Sequence, residues 1–509
     1  AKVFLFLRIY VLNIYYMRKR IVLSALVSAT MFQTVLAGGY LTNTNQSIAF
    51  VREPSRDASI GIDGAYSNPA GLLFLGKGFQ VQANIQSAFQ HRYIESTFAP
   101  FALGVKNNGN ATKRFEGKTS APVIPSVHIS WNINDNWNVN GSFMVVGGGG
   151  KCEYENGLGS FEAIFPGLAT GLTSSLTAAG VPGIDPIKSY DLDCYMKGEQ
   201  YYYSVQVGAG YKINDYLSVS LQGRFYIGSA SYKGYLKNLK LNDTPAPTYL
   251  TGVATTVQNV AAYMEAMGQK EKAEQLKAAA TQIGSYAGLA SGVEIDCQQS
   301  GLGFTPIIGI DYRPNEKWNF AAKYEFKTRM RLKNSSNNSA TASYLAPLAQ
   351  FKDGESVPED IPAFLTLGAM YSPISKVRIN AGWHMFFDKN ARKYNDTQKL
   401  LKGNTWEFNA GAEWDINDKW TVSGGWQTTN YGNTDEYMRD INFSTSSNTY
   451  GFGCAWNINQ HFTLDLAYFF TVYNKYTKNT DDYNGTSMKG TDVFWRDSKS
   501  FGVGLTYKL

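Results

Sequence analysis

The sequence predicts an all-β chain: a transmembrane antiparallel β-barrel of about 14 strands, with an N-terminal hatch in its lumen and helical insertions in its long loops. Two observations carry this. A seven-residue phrase, Trp414-Asp-Ile-Asn-Asp-Lys-Trp420, recurs along the chain. Around each copy the sequence alternates apolar and polar residues for about ten positions, the length of a tilted strand crossing a bilayer.

The copies start at Trp131, Tyr211, Tyr312 and Trp456, with a looser one from Tyr371 to Val377. Each has Asn, Asp, Pro or Ser at its centre, residues that suit tight turns. Each copy is therefore expected to be a short hairpin turn. Six turns define about twelve strands, and stretches 79–89 and 498–509 supply a first and a last, giving the even number that closure needs. Before Trp414, Trp406, Phe408, Ala410 and Ala412 alternate with Glu407, Asn409, Gly411 and Glu413. Bulky aromatics gather at the turn ends, where amphipathic rings favour the lipid–water boundary. A soluble β-sandwich does not explain why short turns alternate with long loops.

Composition agrees. The chain has 509 residues, 14% of them aromatic, and 49 glycines. No long apolar run after the leader suits a spanning helix. The formal charge of +6 is concentrated at the start: Lys2, Arg8, Arg18, Lys19 and Arg20 lie in a stretch without acids, and the rest holds 42 basic against 41 acidic residues. Nothing favours nucleic-acid binding.

Residues 1–37 read as an upstream extension and a secretory signal. Arg18-Lys19-Arg20 open it, residues 21–36 form its apolar centre, and Val35-Leu36-Ala37 offers a small-residue cleavage site. Export combined with a closed barrel implies the outer membrane of a Gram-negative cell, in contact with its lipid and lipopolysaccharide. Residues 38–78 are Gly-rich and not strand-like, and are expected to form the hatch; residues 79–509 are expected to form the barrel. Within the hatch, Asn68-Pro69-Ala70-Gly71 reads as a helix start, with Asn68 as cap and Pro69 where no amide donor is missed.

Asn68-Pro69-Ala70-Gly71, the preceding Arg56-Asp57-Ala58-Ser59 and the strand count together resemble the FadL/TodX family of outer-membrane transporters for hydrophobic compounds. The resemblance implies a lumen hatch and a kinked third strand that opens the wall opposite the Asn-Pro-Ala element, so that the ligand leaves sideways into the membrane. Gly147-Gly148-Gly149-Gly150, after an expected third strand of 137–146, is the place where such a kink is expected. The C-terminal Leu509 departs from the aromatic residue that more often ends such barrels.

Two loops are informative. The first, 150–200, has an apolar patch at Phe161, Ile164, Phe165, Pro166 and Leu168. The second, 242–298, has a helical stretch at about 250–289 with Val257, Ala261, Met264 and Met267 at helical spacing. Met264 and Met267 are expected to touch apolar ligands, methionine being adaptable. Cys152 and Cys194 bracket the first loop and are expected to form a disulfide. Cys454 should face lipid, and Cys297 is left over.

No metal-ligand or catalytic motif is present, and His91, His128, His384 and His461 are scattered. The chain is expected to be a monomeric channel without cofactor, not an enzyme, and to take a hydrophobic small molecule, a long-chain fatty acid foremost. Haem, for which lumen-phase His128 and His384 would be the marker, an aromatic hydrocarbon, or general diffusion through an open porin are the alternatives. Arg224, Lys323, Glu325, Arg378, Glu407 and Glu413 all fall in lumen phase. Arg224 is the expected ligand for a carboxylate, with Phe386 and Met370 beside the tail.

Overall fold

A computed structural model describes residues 40–509, apart from 179 and 345–349. The expected leader and its cleavage site lie outside the described residues, as do the side chains of Phe165 and Leu168.

Fourteen antiparallel strands close on themselves. In chain order they are β1 (Gly78–Phe98), β2 (Thr112–Asn132), β3 (Trp137–Tyr154), β4 (Tyr190–Asn214), β5 (Leu217–Leu241) and β6 (Val293–Tyr312). Next come β7 (Trp318–Glu325, resuming as Arg331–Ser336), β8 (Ser356–Pro358, then Phe364–Ile374), β9 (Val377–Phe386) and β10 (Thr405–Asp415). The last are β11 (Trp420–Asn430), β12 (Ser447–Asn457), β13 (Phe462–Tyr473, then Tyr476–Thr480) and β14 (Gly490–Lys508). β1 pairs with β14 from Gln80↔Lys508 to Phe98↔Gly490, so the sheet has no edge at its termini. That matters in lipid, where an open edge has nothing to bond to.

The alternation fixes which way each side chain points. Outward, Ile129, Val207, Leu221, Phe304, Ile308, Phe408, Phe452 and Val503 are exposed; this apolar belt makes the barrel membrane-spanning. Inward, Gln82, Asn84, Ser126, Asn140, Gln206 and Asn319 are buried among polar partners. All six recurring phrases form the connections of one end. There the rings meet as Trp137–Tyr211 (4.8 Å), Trp318–Tyr371 (4.4 Å) and Trp420–Trp456 (5.6 Å). Each Asn at a turn centre accepts backbone N–H groups: Asn417 Oδ1 takes those of Lys419 and Trp420 at 2.9 and 3.0 Å.

The opposite end carries the long loops. The β5–β6 loop holds two antiparallel helices, not the single helical stretch expected. The turn between them contains Gly268 at φ +77, a left-handed position that glycine occupies without strain. The β3–β4 loop holds a short α1 (Gly159–Glu162) and α2 (Ile164–Ala178); the β5–β6 pair are α3 (Ala246–Ala266) and α4 (Lys270–Leu289). No described helix is long and apolar enough to cross a membrane.

Residues 40–77 fill the lumen. They contain one short helix, α5 (Ile48–Arg52), capped by Ser47, whose Oγ accepts the Phe50 N–H, and two 3-10 turns, Ile62–Ala65 and Gly71–Phe74.

Candidate functional site

The ladder between β2 and β3 is interrupted over a long stretch. β2 and β3 pair at the loop end (Lys118↔Glu153 to Ser120↔Lys151) and at the turn end (Val127↔Phe143 to Asn132↔Asn138), but residues 121–126 and 144–150 do not pair. Both strands carry the cause. In β2 the gap holds Pro122 and Pro125, which have no N–H for the ladder. In β3, Gly148 and Gly150 adopt φ +81 and +82, and the β3–β4 register slips at Val145/Gly147 and at Gly148/Gly150. The glycine run therefore lies inside a strand that reaches Tyr154, not after one that ends at residue 146. A β-carbon on Gly148 would sit 2.0 Å from the Gln200 carbonyl oxygen. Gly148→Ala is expected to cost about 1–3 kcal/mol, read as a lower fraction of heat-resistant folded barrel on electrophoresis; unchanged recovery would contradict the assigned strain.

The hatch occupies this gap from inside. Thr42 forms a bridge with Gly147. Asn43 donates its backbone N–H to Val146 O (2.8 Å) and its side-chain amide to Gly148 O (3.0 Å). Gln46 Nε2 donates to Val145 O at 3.1 Å. From β2, Ser126 Oγ donates to Gln46 O at 2.6 Å, and His128 Nε2 lies 2.9 Å from the same oxygen. Residues 42–46 thus take the bonds that β2 would have given β3. Apolar side chains flank the segment: Val51, Ala88, Ala121, Ile124, Val145 and Phe469 on one side, Leu41, Tyr66, Met144, Val146 and Tyr202 on the other.

A second contact, across the lumen, is ionic. Arg52 meets Glu413 (2.7 Å) and Asp465 (3.2 Å); Arg56 meets Asp63 (2.8 Å), Glu53 (3.0 Å) and Glu413 (3.3 Å). Glu413 also holds Arg378 at 3.1 Å. His384 stands between Asp57 of the hatch (2.9 Å) and Glu407 of the wall (2.7 Å).

Several expected site residues fall elsewhere. Asn68-Pro69-Ala70-Gly71 docks on β5 and β6 at the turn end, not on the β3 bend. Asn68 Oδ1 accepts the Gly71 N–H (3.2 Å), its amide donates to Asp311 (2.5 Å), and Ser218 Oγ donates to Ala70 O (2.8 Å). Asn68→Ala leaves the buried Asp311 carboxylate one donor short. The expected cost is about 1–3 kcal/mol, read as faster amide exchange over residues 61–75 with the barrel intact; exchange at the parent rate would refute this.

Arg224 is not available to a ligand carboxylate. It is buried in a two-point pair with Glu325 (2.5 and 3.1 Å), which Lys323 also holds at 2.8 Å. Both cations lie over the Tyr66 ring of the hatch, so they anchor the hatch. Phe386 is buried in a stack with Phe364 at 4.3 Å, and Met370 packs on Ala58. Met264 and the exposed Met267 sit at the far tip of α3, a helix of 21 residues that carries them about 30 Å from the strand end. The expected Cys152–Cys194 disulfide is not formed. The register sets Cys152 opposite Gly198, four residues from Cys194. That is about 13 Å along the strand, past the ~7 Å that a disulfide spans.

The loop end is closed by a buried apolar cluster. Ile94, Phe98, Phe115, Tyr154 and Phe494 come from the wall, Met438, Ile441 and Phe443 from the β11–β12 loop, and Tyr483 from the β13–β14 loop. Asp440 ties this lid down by accepting the Ser160 N–H at 2.7 Å; burial pushes its carboxyl above the usual range. An opening at Gly147–Gly150 was expected from the resemblance; the β2 side of the gap was missed, although Pro122 and Pro125 inside an alternating run were a signal for it. The partner of the gap, residues 42–46, left no local signal.

Hatch, interrupted wall and closure by fourteen strands define a class: membrane β-barrels with an internal plug. Among solved structures, a Pseudomonas aeruginosa FadL homologue shares the fold with a TM-score of 0.61 and 12% identity, covering 92% of this chain and 99% of its own. The P. putida toluene transporter TodX follows with TM-score 0.52 and 12% identity, over 88% of this chain and 94% of its own. The Ralstonia pickettii toluene transporter TbuX has TM-score 0.50 and 14% identity, over 94% and 100%. No family model and no curated protein sequence matches the chain. The fold is that of the FadL/TodX transporters.

Proposed function

We propose that this chain is a passive outer-membrane channel of a Gram-negative cell for hydrophobic small molecules, with long-chain fatty acids as its substrate class. It works as a monomer among outer-membrane lipid and lipopolysaccharide, after removal of a signal peptide at 1–37. One observation carries the reading: the β2–β3 gap is sealed by a hatch segment of residues 42–46 and not by the wall itself. A ligand leaves the loop-end cluster, reaches the apolar side chains around Val51, Val145 and Tyr202, and passes between β2 and β3 into the bilayer when residues 42–46 withdraw. Its hydrocarbon then never crosses water, which would cost about 0.8 kcal/mol per exposed CH₂.

An aromatic hydrocarbon is the second reading, favoured by the toluene transporters that share the fold. A general porin is disfavoured, because the hatch fills the lumen. Haem is disfavoured too: His128 is bonded to Ser142 and Gln46, and His384 to Asp57 and Glu407, so neither ring has a nitrogen to give to iron. The test is uptake of labelled oleate and labelled toluene by cells that depend on this protein for either. Uptake of one above the empty-vector level supports the reading; background uptake of both removes it.

A further inference from the structure

The outer face of β7 changes character partway up the wall. From the turn end its outward side chains are Trp318, Phe320, Tyr324 and Phe326, part of the lipid-facing belt. Asn319, Ala321, Lys323 and Glu325 alternate with them and are buried in the lumen. Phe326 and Lys327 are both exposed, and beyond them the alternation runs the other way. Thr328, Met330, Leu332 and Asn334 are buried, while Lys327, Arg329, Arg331 and Lys333 are exposed on the outside. The register gives the cause. β6 pairs Ile307 with Glu325 but Ser300 with Lys333, so seven steps along β6 face eight along β7. One extra residue re-aims every side chain beyond it. Without this bulge the four cations would stand in the lumen.

Their height on the wall fits the membrane surface. At a tilt of about 40° a strand climbs about 2.5 Å per residue, so Lys327 lies about 23 Å above Trp318. That is the top of an apolar belt about 25 Å tall. Arg329, Arg331 and Lys333 follow at intervals of about 5 Å, in the head-group layer at the loop end.

The neighbouring strands leave these charges unanswered. Outward cations on β3 and β5 have carboxylates: Lys151 meets Glu153, and Lys233 meets Asp296 at 3.0 Å. Lys327 donates to the Asn390 carbonyl oxygen at 3.1 Å and lies 3.9 Å from Asp360. Arg329, Arg331 and Lys333 form no ion pair among the described residues. Lys333 stands between Ser300 of β6 and Ser356 of β8, and Arg331 stands opposite Pro358. In the loop beyond, Asp353 accepts the Ser336 N–H at 2.9 Å, and Glu355 lies 3.8 Å from Lys352. Next along β6 toward the turns, Leu302 and Phe304 are 74% and 49% exposed. Like charges about 7 Å apart repel, and an anion among them removes that cost. An anion at the membrane surface, with apolar side chains bare below it, is the head of a lipid.

We infer that Arg329, Arg331 and Lys333 form an external docking site for the phosphorylated head of lipopolysaccharide, whose acyl chains lie on Leu302, Phe304 and Phe326. The inference rests on the outer-membrane placement proposed above and is independent of the cargo. The guanidiniums donate to phosphate oxygens in pairs, and Lys333 adds a point charge.

The test is native mass spectrometry of the full chain in dodecyl maltoside, titrated with diphosphoryl lipid A, the membrane anchor of lipopolysaccharide, or with lipid A stripped of its phosphates. The parent protein is expected to retain the phosphorylated form at an about tenfold lower concentration, the scale of one charge-assisted hydrogen bond. Replacing Arg329, Arg331 and Lys333 together by Gln should remove that preference and leave retention of the stripped form within about twofold. Lys151→Gln with Lys233→Gln, which removes outward charge away from the site, should keep the preference. Equal retention of the two forms by the parent would overturn the inference. So would a preference that survives the triple replacement, or one lost equally in the Lys151/Lys233 control, which would mark a general effect of charge. Full displacement of lipid A by millimolar inorganic phosphate would make this a site for the free ion and overturn the lipid assignment. If the triple variant gives no heat-resistant barrel, Arg331→Gln and the parent comparison decide by the same criteria. Loss of the preference leaves the uptake function standing. Background uptake of oleate and toluene beside an intact preference removes the uptake function and leaves this site.

Discussion

Uptake is expected to fall at least tenfold when residue 46 is tied to residue 126, and to return on reduction. In a background without the four native cysteines, Gln46→Cys and Ser126→Cys would be bridged by a short thiol-to-thiol reagent. The two positions are neighbours in the closed state, Ser126 donating to the backbone Gln46 O at 2.6 Å, which is why a short reagent is used. It would hold residues 42–46 against β3, where they occupy Val145, Val146 and Gly148. Labelled-oleate uptake before and after reduction is the readout, with each single cysteine as control. Full uptake through the bridged protein would place the exit elsewhere in the barrel. Slow leakage would place it at the gap but free of the hatch.

The second large effect is expected at Glu413. This buried carboxylate serves three guanidiniums: Arg52 and Arg56 of the hatch and Arg378 of the wall. Glu413→Gln keeps the shape but removes the charge. The remaining acids, Asp465, Glu53, Asp63 and Asp415, each already serve one of these arginines. Breaking one partner of a buried ionic cluster costs about 3–5 kcal/mol, because the survivors stay buried. That cost falls on hatch docking, since the barrel ladder does not pass through Glu413's side chain. Amide exchange over residues 48–63 should accelerate by about two orders of magnitude or more, while barrel amides and heat-resistant mobility stay as in the parent. Cells should also become more permeable to small polar solutes. Parent-like exchange in the hatch would show that Tyr66, Asn68 and the β3 contacts hold it without the ionic cluster.

The two effects separate the hatch's attachments by physical type. The β3 side uses backbone hydrogen bonds and small apolar contacts, which are individually weak and exchangeable. The β9–β13 side uses buried charge, which is costly to disturb. Withdrawal of residues 42–46 while α5 stays docked is therefore the cheaper motion.

The sequence by itself determined the barrel. Period-2 alternation assigns each residue to lipid or lumen, and a one-residue slip would place Glu407 and Glu413 in hydrocarbon. The repeated Asn-centred phrase fixed where strands reverse, and Gly147–Gly150 marked where β3 departs from regular pairing, because these signals are local: they act through a residue's own dihedrals and its neighbours two positions away. The tertiary structure alone decided the rest. Arg224 in the sequence is one inward cation among several; that Glu325, 101 residues later, holds it follows only from the register of β5 through β7. Cys152 and Cys194 bracket one loop in sequence, yet register separates them along the wall. Asn68-Pro69-Ala70-Gly71 has the chemistry of a turn anywhere; its dock on Asp311, 243 residues away, came from closure of the barrel around the hatch. The facing of Arg92 on β1 and Arg496 on β14 is the extreme case, since the first and last strands meet only when the sheet closes. Long-range pairing of this kind is set by the number and stagger of all fourteen strands together, and no stretch of the chain carries that information alone.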